Sequence, residues 1–293
     1  MTDLQSLPAP AEPAAGTAAL LRVFVDPAQA AQGGNPVPLV LDARGMTAAD
    51  MQALAARHGH ESSFVVPADR DGHLCRLRFF VPGHEMEMCG HATVGTLWAL
   101  RQWGHWRTPA VRVQTLSGSV DIEWDEARDR AWVSQPAVAT SALTPDQCRA
   151  IAAVLRIDPG LPGRHMVNAS TSRVKTLVRL PDAAALDALA PDFDAMRGLC
   201  EAIGSTGLYP YALGADGASA RQFPKASGYP EDAATGIAAA ALWGYLDKTG
   251  AIPPGQVYTV RQGVAMGSPS AIQLRARGDG AGCWLSGVTQ WMT

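Results

Sequence analysis

Apolar and polar residues alternate along Leu20–Val25, the two-residue period of a half-buried strand. Gly33-Gly34-Asn35-Pro36 then signals a turn, and Val37–Leu41 continues as an apolar run. From Thr47 to His58 the period lengthens to that of a helix, with Met51, Leu54 and Ala55 on one face. Thr47 stands where a cap belongs and Gly59 where a helix stops. Strands are predicted over Glu61–Pro67 and, beyond the Asp71-Gly72 turn, over Leu74–Val81. Val111–Leu116, Ser119–Trp124 and Arg130–Ser134 have the spacing of a meander of short strands.

The second half repeats this order. Lys175–Leu180 reads as a strand, Ala183–Leu189 and Asp192–Ile203 as helices, and Leu208–Leu213 with Ser219–Phe223 as a hairpin. Strands follow at Val257–Gln262, Ala271–Ala276 and Cys283–Leu285. Each half also holds a long apolar helix opened by glycine, one starting at Gly90 and closing at Gly104, the other starting at Gly236 and closing at Gly250. A shift of 146 residues lays Gly90 on Gly236, Ala92 on Ala238, Leu100 on Leu246 and Gly104 on Gly250. A helix start has unpaired N–H groups and a partial positive charge, so a pair of them suggests an anion-binding site.

This pattern predicts an α+β fold of two pseudo-symmetric halves, each with strands wrapped as a sheet or barrel around a central helix. The expected boundaries are a loose tail over 1–18, an N-terminal half over 19–135 and a C-terminal half over 136–293, its last strand free to cross to the first half. No Gly-x-Gly-x-x-Gly sits in a βαβ unit, which argues against a dinucleotide fold.

Composition narrows the function. With 47% apolar and 17% charged residues among 293, the chain reads as soluble with a substantial core. A net charge of −3 gives no field that would gather nucleic acid or an anionic membrane, so neither is an expected partner. Five scattered cysteines without a Cys-x-x-Cys pair argue against a disulfide framework or a zinc site and suit a reducing, cytoplasmic setting. The Ala- and Pro-rich start lacks the basic and apolar blocks of a signal peptide.

Three clusters could carry chemistry. In Met88-Cys89-Gly90-His91-Ala92-Thr93, His91 at a helix start can hold a carboxylate or shuttle a proton, or simply cap a loop. Cys89 beside it is either an activated thiol or a small buried hydrophobe. In Glu231-Asp232-Ala233-Ala234-Thr235-Gly236, two acids precede the second helix, where they complement its dipole or hold a substrate group. Glu61, at the mouth of an apolar strand, is either a solvated acid or one whose pKa burial raises.

The segments His60-Glu61-Ser62-Ser63-Phe64-Val65, Cys89-Gly90-His91-Ala92-Thr93 and Glu231-Asp232-Ala233-Ala234-Thr235-Gly236, in this order and at these separations, resemble the phenazine-biosynthesis PhzF-like isomerase family. Gly34-Asn35-Pro36, Phe223-Pro224, Gln262-Gly263 and Met266-Gly267-Ser268-Pro269-Ser270 add to the likeness, which runs from about Leu20 to Val288. The resemblance implies a diaminopimelate epimerase-like fold and a cofactor-independent isomerase, with no metal, acting on a small carboxylate-bearing substrate. It implies Glu61 as acid/base, with His91 and Asp232 completing the catalytic set. Asn35, Cys89, Gly90, Thr235 and Gly236 are the implied substrate-binding positions. A homodimer is a possible assembly by analogy alone. The chain departs from the family in carrying Ala233 and Ile237 where Pro and Ser are common. It also has Thr235 where related racemases place a second cysteine, so a two-thiol racemase is not expected. The alternatives are an amino-acid epimerase using Cys89 and a non-catalytic protein that binds a small carboxylate.

Overall fold

The computed structural model describes residues 9–29, 33–158, 160, 166–253 and 255–292. It separates into two compact units, one made of the chain as far as Ser134 together with the segment from Trp284 onward, the other of Gln135–Cys283. Each has an α+β architecture with strands packed around one helix.

In the first unit, strand Ala18–Val25 lies antiparallel to Asn35–Val40 on one side and to Val288–Trp291 on the other. Asn35–Val40 runs parallel to Ser62–Val66, with Leu39 opposite Ser63, and Ser62–Val66 pairs antiparallel with Arg76–Val81. Helix α1 (Ala48–His58) begins at Thr47, whose hydroxyl accepts from the Asp50 N–H while the Asp50 carboxylate accepts from the Thr47 N–H. This reciprocal cap and the left-handed Gly59 (φ 69°) fix both ends of the helix. Helix α2 (Gly90–Gln102) is buried from Gly90 through Leu100. It packs on the strands at Ala18–Val25, Asn35–Val40 and Ser62–Val66. A helix apolar all round belongs inside, which is why α2 has little amphipathic character. Gly95 makes the close approach possible, since a β-carbon there would stand 2.6 Å from Val23 Cγ2. Ala110–Thr115, Gly118–Asp125 and Arg130–Pro136 form the expected meander.

In the second unit, Met166–Ser170 pairs antiparallel with Val174–Arg179, which runs parallel to Gly207–Gly214. That strand turns back as Gly217–Ala220, which lies parallel to Tyr258–Gln262. The sequence of antiparallel and parallel pairings repeats that of the first unit. Among the described residues, three α-helices precede the central one: α3 (Pro145–Leu155), α4 (Ala183–Asp187) and α5 (Phe193–Ala202). Helix α6 (Gly236–Lys248) then takes the central place. Its run Ala238–Ala241 is fully buried, and Gly244 lies so close to Val138 that a β-carbon would meet it at 2.8 Å.

Several expectations shift. The strand predicted over Glu61–Pro67 is Ser62–Val66, with Glu61 left outside it. The returning strand predicted over Ser219–Phe223 ends at Ala220, and Gln222 instead bridges to Asp232. Helix α3 and the strands at His84–Met86, Ala139–Ala142 and Met166–Ser170 are additions to the reading of the chain. Residues 1–8 of the expected tail lie outside the described residues. Residues 9–17 lie on the first unit: Trp103 Nε1 donates to the Pro10 carbonyl at 2.9 Å and Glu12 pairs with His105 at 3.1 Å. Among the described residues, no helix is long and apolar enough to cross a membrane.

Candidate functional site

Helix α2 presents its first residues to the end of the strand that follows Glu61. Cys89 occupies the N-cap position but makes no side-chain cap. Its thiol turns to Glu61, Sγ to Oε2 at 3.3 Å, and to His91, Sγ to Nδ1 at 3.4 Å. His91 Nδ1 and Glu61 Oε2 are 3.2 Å apart, which closes a triangle. Cys89 and His91 are buried, and the Glu61 side chain is 14% exposed. Two of the three come from the helix start and the third from a strand mouth, so the triangle needs the tertiary fold. Next to it, Thr96 on α2 donates to Ser63 at 2.8 Å, and Thr93 donates to the Cys89 carbonyl at 2.7 Å. The first bond holds the helix start against the strand, and the second braces the first turn of the helix itself. Such a triangle can pass a proton among a carboxylate, a thiol and an imidazole.

The start of α6 is arranged differently. Thr235 takes the N-cap position, again without capping its helix. Its hydroxyl lies 2.5 Å from Asp232 Oδ2. Gln262 sits beneath both: its Nε2 donates to the Asp232 carbonyl at 2.7 Å and to the Thr235 hydroxyl at 3.1 Å, while its Oε1 accepts from the Thr235 N–H at 3.2 Å. Tyr209 donates to the same Oε1 at 3.0 Å. Complete burial raises the Tyr209 phenol well above its ordinary pKa, and the Asp232 charge adds to this. Tyr209 is therefore a fixed donor, which sets the orientation of the Gln262 amide. Gln262 Nε2 must then donate to Thr235, and the one hydroxyl proton of Thr235 goes to Asp232. Every proton in this cluster is assigned by the one before it.

The neighbouring acid has another role. Glu231 is gripped by Arg221 at 2.9 and 2.7 Å, both side chains 10% exposed. The same guanidinium donates to the carbonyls of Leu186, Asp187 and Leu189 behind α4. Glu231 is thus a structural anchor next to Asp232.

The structure brings together Glu61, Cys89 and His91 in one unit, and Asp232 and Thr235 in the other. Gly90 and Gly236 open α2 and α6 as first helical residues, and neither has the left-handed backbone that only glycine favours. Asn35 opens its strand opposite Val23 and is buried. Its strand runs parallel to the one that follows Glu61, which puts both residues at the same end of the sheet. Gln262, Tyr209 and Arg221 escaped the reading of individual motifs. In the sequence Gln262 stands out only through the Gln262-Gly263 pair that ends its strand.

A family model for phenazine biosynthesis-like proteins matches residues 23–282. An uncharacterized isomerase of Deinococcus radiodurans is 34% identical over 254 residues, 82% of this chain and 81% of the relative. The trans-2,3-dihydro-3-hydroxyanthranilate isomerase of Pseudomonas aeruginosa is 32% identical over 253 residues, 84% of this chain and 86% of the relative. The crystal structure of a Bacillus anthracis phenazine biosynthesis protein of the PhzF family shares the fold, with a TM-score of 0.79 at 22% identity, covering 94% of this chain and 96% of that one. The chain belongs to the phenazine biosynthesis-like PhzF family, and both of these curated relatives are named isomerases.

Proposed function

We propose that this chain is a cofactor-independent isomerase that moves a proton on a small carboxylate-bearing substrate, with Glu61 as the acid/base. The observation that supports this most is the placement of the Glu61 carboxylate within 3.2–3.3 Å of both His91 Nδ1 and Cys89 Sγ at the start of α2. Glu61 takes a proton from a carbon next to an acidifying group and returns it elsewhere. His91 steadies the carboxylate and relays the proton. N–H groups at a helix start, Gly90 or Gly236, hold the substrate carboxylate or developing negative charge. Asp232, its carboxylate held by the Thr235 hydroxyl, takes a substrate ammonium or hydroxyl. Ile237, where the family commonly has Ser, makes that side of the ligand less polar. A cytoplasmic homodimer is the setting proposed with this chemistry, checked by sedimentation of the purified chain and by cell fractionation.

Deuterium uptake tests the reading. The purified chain in D₂O is offered trans-2,3-dihydro-3-hydroxyanthranilate and a panel of unsaturated and amino carboxylates, and exchange of a substrate C–H is followed by NMR. A catalyst exchanges it, whereas a protein that only binds carboxylates does not. Cys89 lies within the same triangle, which favours one second reading, an amino-acid epimerase with Cys89 as base. Cys89→Ala separates the two: exchange driven by Glu61 survives it, and exchange driven by the thiol is abolished.

A further inference from the structure

We propose that Glu61, Cys89 and His91 also form a binding site for a thiophilic divalent cation, zinc, and that zinc there inhibits the enzyme. One carboxylate, one thiol and one imidazole are a donor set that zinc uses. The spacing of the three atoms is the stronger argument. Tetrahedral zinc with bonds of about 2.0–2.3 Å separates its ligand atoms by about 3.3–3.5 Å. Here Oε2, Sγ and Nδ1 stand 3.2, 3.3 and 3.4 Å from one another. An ion just above that triangle reaches all three atoms with little rearrangement and keeps a fourth position for water or a substrate oxygen.

Charge fits as well. Zinc with one thiolate, one carboxylate and a neutral imidazole is electrically neutral, so binding buries no uncompensated charge. On binding, the thiol proton and any proton held between His91 and Glu61 pass to solvent, and affinity therefore rises with pH. Magnesium and calcium prefer all-oxygen shells and are not expected here. The other four cysteines, Cys75, Cys148, Cys200 and Cys283, are buried and free. Burial pushes the Cys75 and Cys200 thiols up to about 12 and about 11, so neither offers a thiolate near neutral pH. Cysteine spacing along the sequence argued against zinc because two of the ligands are not cysteines and one lies 28 residues upstream of Cys89.

Binding itself is independent of the proposed reaction, whereas inhibition rests on it. The test uses the full chain without an affinity tag, stripped with chelator. Zinc is titrated by calorimetry, and cobalt is titrated by absorption as a spectroscopic stand-in. The expected result is one zinc ion per chain and a cobalt–thiolate charge-transfer band. Cys89→Ala should abolish the band, and both Cys89→Ala and the isosteric Glu61→Gln should weaken zinc at least about tenfold, with circular dichroism confirming that each variant is folded. Failure of wild type to bind one zinc, or an unchanged affinity in either folded variant, overturns the site. Deuterium exchange by wild type is then compared with and without saturating zinc. Undiminished exchange overturns the inhibition. If wild type exchanges no proton even without zinc, it is the isomerase reading that fails, and the metal titration stands by itself.

Discussion

The starts of α2 and α6 are built to one plan and equipped for different chemistry. Both helices span 13 residues, both are buried nearly all round, and in both the N-cap side chain turns away from its own helix. At the first, Cys89 meets Glu61, which comes from the mouth of a strand. At the second, Thr235 meets Asp232, three residues upstream in the same loop. The shift of 146 that aligns the helices places Ser63 on Tyr209 and Glu61 on Gly207. Gly207 cannot carry an acid. A β-carbon there would collide with the Gln222 amide and come within 2.6 Å of the Phe223 carbonyl oxygen. The scaffold is repeated, but at that position the first unit carries a carboxylate and the second has no room for one. The two units share their strand pairings and central helix and differ in the residues at strand mouths and helix starts.

The largest effect should come from removing the asymmetry. Glu61→Gln is expected to lower the exchange rate about 10²–10⁴-fold with folding intact. If Asp232 holds the substrate as proposed, Asp232→Asn is expected to raise KM more than it lowers kcat. If Glu61→Gln exchanged substrate at the wild-type rate, the proposed role of Glu61 as acid/base would fall, and if Asp232→Asn lost kcat with KM unchanged, the proposed binding role of Asp232 would fall. Next comes Gly207→Ala, expected to destabilise the fold by about 3 kcal/mol because the obstructing carbonyl belongs to the backbone and cannot swing aside. Denaturant unfolding measures it, and a change below about 0.5 kcal/mol would mean that the second unit does have room for an acid.

Much of this was legible in the chain, and the parts that were not share a physical cause. Thr47, Asp50 and Gly59 bound α1 because capping is local chemistry, readable within a few residues. The glycine-opened helices stood out because their neighbours are apolar on every side. Helix α3 carried the same kind of signal, with Thr144 and Gln147 capping each other and Pro145 at the first turn. The buried face of α3, which includes Cys148, Ile151, Ala152 and Leu155, follows from that start. At the site, Glu61, Cys89, His91 and Asp232 were legible as residues. Their partners were not, because Glu61 reaches Cys89 through the packing of a strand end on a helix, and Gln262 reaches Thr235 across 27 positions. The two acids Glu231 and Asp232 look equivalent in the sequence. Only the position of Arg221 makes one an anchor and leaves the other to Thr235.

The two smaller effects concern buried amides in the second unit. Gln262→Leu removes the acceptor of both the Tyr209 hydroxyl and the Thr235 N–H. Leaving those donors unpaired should cost about 2 kcal/mol and remove the amide that orients the Thr235 hydroxyl toward Asp232, so KM should rise with the loss of stability. Equal stability of Gln262→Leu and wild type would show that the proton assignments around Asp232 are wrong. Gln222 behaves in the opposite way. It is 1% exposed, and among the described residues neither its Oε1 nor its Nε2 has a hydrogen-bond partner. Its backbone pairs with Asp232, and its amide fills the space beside Gly207 where the counterpart of Glu61 would stand. A buried amide without partners is a cost to the fold, and methionine has the same length without the polar atoms. Gln222→Met should therefore stabilise the chain by about 1 kcal/mol, seen as a rise in the denaturant midpoint with an unchanged slope. A loss of stability instead would mean that Gln222 is satisfied in solution, and that this position of the second unit has a polar role of its own.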